Sequence, residues 1–297
     1  MTLDELLATI GRLNAQSEAL AALGALLRIR GEGLQADPDV ERRLDDVARQ
    51  LGVDLAALGD EQLAIAAGMA RMLLLQSAEL VSDPARPPGW VLDDPGVLQG
   101  AGATSAAIPQ VMQHLVPQLD GLAARLERPG ATFLDIGSGV ALMSVAACRV
   151  WPQVRVIAVD RWEPALRLAR ENIARAGLEE RIELRACAAE QLDLDGVVDL
   201  AWLPGPFLRS ESVGPVVAAT LRALVPGGWA AFGLYAGPPD DLARVLVALR
   251  TVRSGGAVTD AATAAGILRD AGFADVQVPV RDWNAPVELV FGRRPGG

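Results

Sequence analysis

The chain has 297 residues, about half of them apolar, which suffices for one large or two ordinary domains with buried cores. The formal net charge is -10 and no run of Lys or Arg occurs, so a DNA or RNA partner is disfavoured. The two cysteines, Cys148 and Cys187, lie in apolar stretches without Cys-x-x-Cys spacing, so no metal site is expected.

The sequence also bears on membrane association. Residues 1–5 are acidic, where a secretory signal carries positive charge. The apolar stretch from Leu63 to Val81 is interrupted by Arg71, Gln76 and Glu79, so we interpret it as a helix that does not span a bilayer. We therefore expect a soluble, cytoplasmic protein without a membrane partner.

Residues 1–103 contain helical signals only. Thr2 followed by Glu5 indicates a capping box, and leucines at helical spacing continue to a stop at Gly31 and Gly33. Asp37-Pro38 predicts the start of a second helix, and Asp60 opens a third that runs to about residue 81.

The stretch 82–102 carries repeated Asp-Pro and Pro-Gly pairs, which predict an ordered linker or lid without regular structure. A helix is expected from Thr104 or Ser105 to Val116, where Pro117 breaks or kinks it.

From residue 132 onward, short apolar strands alternate with longer helical segments. The predicted strands are 132–136, 155–159, 182–186, 199–203, 229–235, 275–279 and 287–292. The predicted helices are 141–150, 163–176, 214–224, 240–251 and 260–270. This alternation predicts an α/β fold with a Rossmann-like, mostly parallel, seven-stranded sheet covered by helices on both faces. We assign residues 104–297 to this domain and residues 1–103 to an all-helical region with its linker.

The first predicted strand runs into the turn Asp135–Ala141, with the sequence Asp-Ile-Gly-Ser-Gly-Val-Ala. Glycines at 137 and 139 permit a tight turn and a close approach of the backbone to a ligand. A dinucleotide fingerprint fails, because Leu142 stands where the third glycine belongs. Asp160 ends the second strand, 21 residues after Gly139, where an acid can accept hydrogen bonds from ribose hydroxyls. The alternatives are an ordinary strand-to-helix turn and, for Asp160, a helix cap.

The turn resembles motif I of class I S-adenosylmethionine-dependent methyltransferases, with Ala141 where many members have a third glycine. The segment 160–178, with its Pro-x-x-Leu and Ala-x-x-Asn patterns, is similar to the matching segment of small-molecule methyltransferases. The resemblance implies S-adenosyl-L-methionine as the cofactor and S-adenosyl-L-homocysteine as its product. It implies cofactor contacts from the following residues: Asp135, Gly137, Ser138, Gly139, Asp160, Arg161, Trp162, Ala188, Ala189 and Leu203.

Within this resemblance, Asp135 is implied to orient the glycine turn and to lie near the methionine ammonium group. Ala188 replaces an Asp that hydrogen-bonds the adenine amino group in many members. The backbone at 188 and 189, or the side chain of Glu190, is the alternative adenine contact.

The fourth predicted strand ends in Trp202-Leu-Pro-Gly-Pro-Phe207, at the place of motif IV, which borders both methyl donor and acceptor in the family. We expect Trp202, Pro204, Phe207 and Tyr235 to contact the substrate, with a core position as the alternative for Trp202. Asp199, before this strand, is interpreted as structural.

Methyl transfer from a sulfonium needs a base only where the acceptor must lose a proton. His114, the sole histidine, is the candidate catalytic base, and Glu211 and Tyr235 are weaker candidates. The alternative for His114 is a solvent-facing side chain.

The resulting hypothesis is a methyltransferase that acts on a small, partly apolar molecule, mainly by proximity and orientation. The N-terminal helices are expected to cover the substrate cleft or to form a homodimer. A non-catalytic or repurposed member of the fold that keeps the cofactor structurally is the second hypothesis. A nicotinamide dehydrogenase and a protein or RNA methyltransferase are further alternatives; the first is disfavoured by a chain with no Lys and one Tyr.

Overall fold

The computed structural model describes residues 1–237, 240–283 and 285–296, except for the side chain of Glu61. The chain divides into two compact units. Unit 1 comprises residues 1–85 and 94–104, and unit 2 comprises residues 86–93 and 105–297.

Unit 1 is helical: α1 Leu3–Glu32, α2 Pro38–Gln50, α3 Asp60–Ser82 and α4 Pro95–Ser105. The predicted capping box opens α1, because the Thr2 hydroxyl accepts from the Glu5 amide at 3.2 Å and the Glu5 carboxylate accepts from the Thr2 amide at 2.7 Å. The Asp37 side chain accepts from two amides of the first turn of α2, as the Asp-Pro pair predicts. Leu27 of α1 packs with Leu63 and Ala67 of α3 in the core of this unit.

Two sequence predictions are wrong in this region. The stretch 82–102 contains α4, since Asp94 caps the helix by accepting from the amide of Val97 at 3.0 Å and Pro95 is the first helical residue. The Asp-Pro-Gly sequence is thus a helix start, where a loop was expected. The helix expected over 104–116 is shorter, running over Ile108–Leu115, with a 3-10 turn at 116–118.

The segment Gln62–Ser82 of α3 is long enough and apolar enough to cross a membrane when length and composition alone are considered. Core helices of soluble proteins and signal sequences satisfy the same criteria. The expectation of a helix that does not span a bilayer therefore stays a prediction.

Unit 2 is built on one seven-stranded sheet, with strands β1 Thr132–Ile136, β2 Arg155–Asp160, β3 Ile182–Ala186, β4 Val198–Pro204, β5 Leu224–Tyr235, β6 Ala274–Gln277 and β7 Val287–Arg293. The strand order is β3-β2-β1-β4-β5-β7-β6. Strands β1 to β5 pair in parallel, and β7 is antiparallel to both β5 and β6. The predicted mostly parallel sheet with an N-terminal helical region is confirmed.

The helices of unit 2 are α5 Ile108–Leu115, α6 Leu122–Leu126, α7 Leu142–Val150, α8 Glu163–Arg175, α9 Ser210–Ala223, α10 Asp241–Arg253 and α11 Ala261–Asp270. Successive strand residues point to opposite faces, so Phe133 packs in one apolar layer and Leu134 in the other. The first strand β1 lies between β2 and β4, and the chain order reverses there. Ligands of doubly wound sheets bind at the carboxyl ends of the strands beside such a reversal.

Candidate active site

The turn between β1 and α7 stands open. Gly137 and Gly139 have φ angles of +67° and +55°. These angles favour glycine, because a residue with a Cβ would clash with its own backbone. A Cβ placed on Gly139 would meet no atom within 4 Å, whereas one on Gly137 would lie 3.1 Å from the Pro204 ring. The turn therefore leaves free space at Gly139, and the end of β4 lies directly against Gly137.

Asp160 joins this turn to the loop after β2. Its Oδ2 accepts from the amide of Gly139 at 2.8 Å, and its Oδ1 accepts from the amide of Trp162 at 2.8 Å. The structure thus brings together the two features on which the cofactor hypothesis depends. A carboxylate oxygen has two lone pairs, so both oxygens can also accept from a ribose hydroxyl.

Asp135 lies under the turn and is fully buried. The Ser144 hydroxyl donates to its Oδ2 at 2.6 Å. Burial raises the pKa of Asp135 to about 7; the Ser144 hydrogen bond opposes this rise and the nearby charge of Asp160 adds to it.

Three buried polar atoms have no hydrogen-bond partner among the residues that the structure describes: Asp135 Oδ1, Ser138 Oγ and Trp162 Nε1. All three belong to the ends of β1 and β2 or to the loops that follow. Buried polar atoms of native proteins are nearly always paired, so three unpaired ones in one place indicate a site for a polar ligand. The set offers a carboxylate oxygen, a hydroxyl and an indole donor, which fits the polar amino-acid and ribose portions of S-adenosylmethionine.

Ala141, which stands at the position of a third glycine, is fully buried and has a φ of +60°. A non-glycine residue in this conformation is strained by about 1 kcal/mol or more. The preceding residue is held by Asn172 of α8, whose side-chain amide donates to the carbonyl of Val140 at 2.9 Å. The Ala-x-x-Asn pattern does not by itself predict this positioning role of Asn172.

Ala188 and Ala189 form the start of a 3-10 turn after β3, on the side expected for adenine. The neighbouring Glu190 carboxylate accepts from the Ser212 hydroxyl, and that bond is the main reason why the pKa of Glu190 is lowered. The positive charges of Arg161 and Arg209 make smaller contributions to this lowering. Leu203 is fully buried in the layer that contains Leu134.

The four expected substrate residues fall into different environments. Trp202 is 6% exposed in the core layer of Phe133, and its ring lies against Gly233 of β5. Pro204 ends β4 beside the glycine turn. Phe207 and Tyr235 are exposed, and their rings meet edge to face with centroids 6.2 Å apart.

The candidate bases lie on the surface or lack basicity. The His114 side chain is 60% exposed, with Nε2 3.3 Å from the Asp282 carboxylate, and Glu211 is 70% exposed beside Arg209. Although 43% of Tyr235 is exposed, desolvation of its phenol at the packed edge raises the pKa, so the phenol stays protonated near neutral pH and serves as a donor. The catalytic role of His114 stays a prediction. Among the described residues no group of three or more His, Cys, Asp or Glu side chains is placed to hold a metal ion.

The strand order, the glycine turn after β1 and the acid that closes β2 define the class I methyltransferase fold. Residues 133–228 match the family model of a methyltransferase domain. Residues 133–228 are therefore a methyltransferase domain, and the fold is one that binds S-adenosylmethionine in the solved structure of human N-acetylserotonin methyltransferase.

Known proteins resemble the chain in two ways. A ribosomal protein L11 methyltransferase of Sorangium cellulosum is 31% identical over 159 residues, which cover 51% of this chain and 44% of that protein. The chain thus matches less than half the length of this curated relative. An O-methyltransferase family protein of Burkholderia thailandensis has the same fold, with a TM-score of 0.66 and 16% identity over 100% of this chain and 99% of that one. Human N-acetylserotonin methyltransferase in complex with its cofactor gives a TM-score of 0.66 and 14% identity over 99% and 98%.

Proposed function

We propose that the chain is an active S-adenosylmethionine-dependent methyltransferase whose acceptor is a small, partly apolar molecule. The observation that carries this proposal is the set of unpaired buried polar atoms around the open turn at Gly139, closed on one side by Asp160. A non-catalytic protein that keeps the cofactor only structurally is the alternative.

The residues present have distinct tasks in this reaction. Asp160, which fixes both loops, would accept from the ribose hydroxyls, and Asp135 and Ser138 would offer acceptor atoms to the amino-acid portion of the cofactor. The bound cofactor supplies an activated methyl group on a sulfonium centre. Because that methyl needs no further activation, the chain has to align the acceptor and exclude water.

Two kinds of similarity point to different acceptors. The printed name of the Sorangium relative states a ribosomal protein substrate, but the match covers only half of this chain. The two solved structures share the fold over nearly the whole chain, including its N-terminal helices, and the name of the human protein states a small molecule. The full-length likeness supports a small acceptor.

The test is transfer of a labelled methyl group from S-adenosylmethionine to a small-molecule extract and, separately, to a ribosomal fraction. We expect label in the small-molecule fraction. Label confined to protein would overturn the choice of acceptor. Tight cofactor binding without any transfer would favour the non-catalytic alternative.

A further inference from the structure

Residues 86–93, which we call the strap, belong to unit 2, although the residues on either side of them in sequence belong to unit 1. The amide of Gly89 donates to the carbonyl of Arg253 at 3.0 Å, and the Arg253 guanidinium donates to the carbonyl of Arg86 at 3.0 Å. Arg86 in turn donates to the carbonyl of Gly89 at 2.7 Å. These reciprocal bonds attach the strap to the end of α10.

The strap places Trp90 beside two expected substrate residues. Its Nε1 donates to the carbonyl of Leu92 at 2.8 Å, which satisfies the polar end of the indole. Its ring meets Phe207 edge to face with centroids 6.3 Å apart, and Phe207 meets Tyr235 in the same way at 6.2 Å. We call Trp90, Phe207 and Tyr235 the aromatic wall.

The aromatic wall borders the glycine turn. Phe207 follows Pro204 by three residues, and Pro204 lies against Gly137. Tyr235 ends β5, which pairs in parallel with β4, so both residues leave the sheet at its carboxyl edge. Methyl donor and acceptor must meet at this edge, because it carries both the cofactor turn and the wall.

Phe207 and Tyr235 remain 49% and 43% exposed although they are large aromatic residues at a packed edge. Their exposed faces form a surface on which a flat ring can stack, with a gain of about 0.5–1.5 kcal/mol per aromatic pair beyond burial. The shape and chemistry of the wall therefore favour a planar aromatic ligand over a flexible chain or a polypeptide.

The polar groups at the wall indicate which oxygen is methylated. Burial of its phenol raises the pKa of Tyr235, so the hydroxyl stays protonated and can donate a hydrogen bond. The positive charge of Arg250 acts on the same phenol. A hydrogen-bond donor and a cation stabilise a negatively charged oxygen, while no side chain of the wall can take a proton.

We propose that the aromatic wall, with Trp90 of the strap, binds a planar phenol and that this phenol reacts as its phenolate. This inference rests on the proposed function and names its substrate class. The phenol proton goes to solvent before transfer. The phenolate oxygen then bonds to the methyl carbon as the carbon–sulfur bond breaks, its electron pair stays on sulfur, and an aryl methyl ether forms.

The test measures binding of a naphthol and of its fully saturated analogue, a decahydronaphthol, to the full chain saturated with S-adenosylhomocysteine. Calorimetry is run on the wild type, Trp90→Ala and Trp90→Phe, with Val197→Ala as a control that removes an exposed apolar side chain before β4. The affinity of each variant for S-adenosylhomocysteine alone is measured in parallel.

We expect the naphthol to bind at least about tenfold more tightly than the saturated analogue. Trp90→Ala should lose about tenfold in naphthol affinity, Trp90→Phe should keep most of it, and cofactor affinity should stay constant. Equal binding of both ligands, no binding of either, or an unaltered Trp90→Ala would overturn the inference. A wild type that does not bind S-adenosylhomocysteine would instead contradict the proposed function.

Discussion

Asp135 combines full burial with an unpaired oxygen, and its pKa near 7 has a consequence for stability. Between about pH 4 and 7 an unfolded chain has released this proton while the folded chain retains it. The free energy of unfolding of the cofactor-free protein should therefore fall as pH rises, by up to about 1.4 kcal/mol per pH unit from this group.

Asp135→Asn removes the titration, so urea denaturation from pH 5 to 8 should show a smaller fall with pH than in the wild type. Asp195→Asn changes an exposed acid and serves as the control that should match the wild type. Equal pH slopes in Asp135→Asn and the wild type would show that this carboxyl does not titrate in that range.

At the scale of elements, substitutions in the turn between β1 and α7 distinguish an effect on stability from an effect on ligand binding. Gly139→Ala should cost about 1 kcal/mol of stability because of its positive φ, and it should sharply reduce affinity for S-adenosylhomocysteine because the new methyl occupies the open space. Gly177→Ala is the matched control, since Gly177 has a φ of +65° and open space but lies after α8, outside the turn.

Thermal melting compares the stability of the two variants, and calorimetry compares their affinity for S-adenosylhomocysteine. Similar melting temperatures with a loss of cofactor affinity confined to Gly139→Ala are the expected result. Comparable affinity in the two variants would mean that the open space at Gly139 is not used by the cofactor.

The elements differ in how far the sequence predicts them. All seven strands follow from short apolar runs, and the positions of Asp160 and the turn follow from their place at strand ends. The packing of the strap, residues 86–93, does not follow from the sequence, because the Trp90 ring meets only that of Phe207, more than 100 positions away in sequence. The start of α4 was missed because Asp-Pro-Gly serves both turns and helix starts. The strain at Ala141 is a backbone property that composition does not reveal.

At the scale of the whole molecule, we propose that the chain forms a homodimer through contacts between the α1 helices of two copies. Leu3, Leu7, Ile10 and Leu13 recur at helical spacing in its first half and are all more than half exposed. Contiguous exposed apolar surface of this kind marks an interaction site.

Light scattering should give about twice the chain mass of 31.1 kDa for the wild type. The double substitution Leu7→Glu and Ile10→Glu should give the monomer mass, whereas Val81→Glu, at an exposed position of α3, should leave the dimer intact. A wild type that is monomeric across the accessible concentration range would contradict this proposal.

The central claim is that Asp160 and the glycine turn jointly hold the adenosyl group. Calorimetry with S-adenosylhomocysteine tests it most directly, on the wild type, Asp160→Asn and the control Glu163→Gln, an exposed acid in the first turn of α8. An asparagine has one acceptor oxygen for the two amides that Asp160 now serves, so its NH2 group would face a donor. We predict one binding site per chain in the wild type and in Glu163→Gln, and a loss of at least about tenfold in affinity in Asp160→Asn. No binding heat in the wild type at millimolar ligand, or equal affinity in a folded Asp160→Asn, would contradict the account.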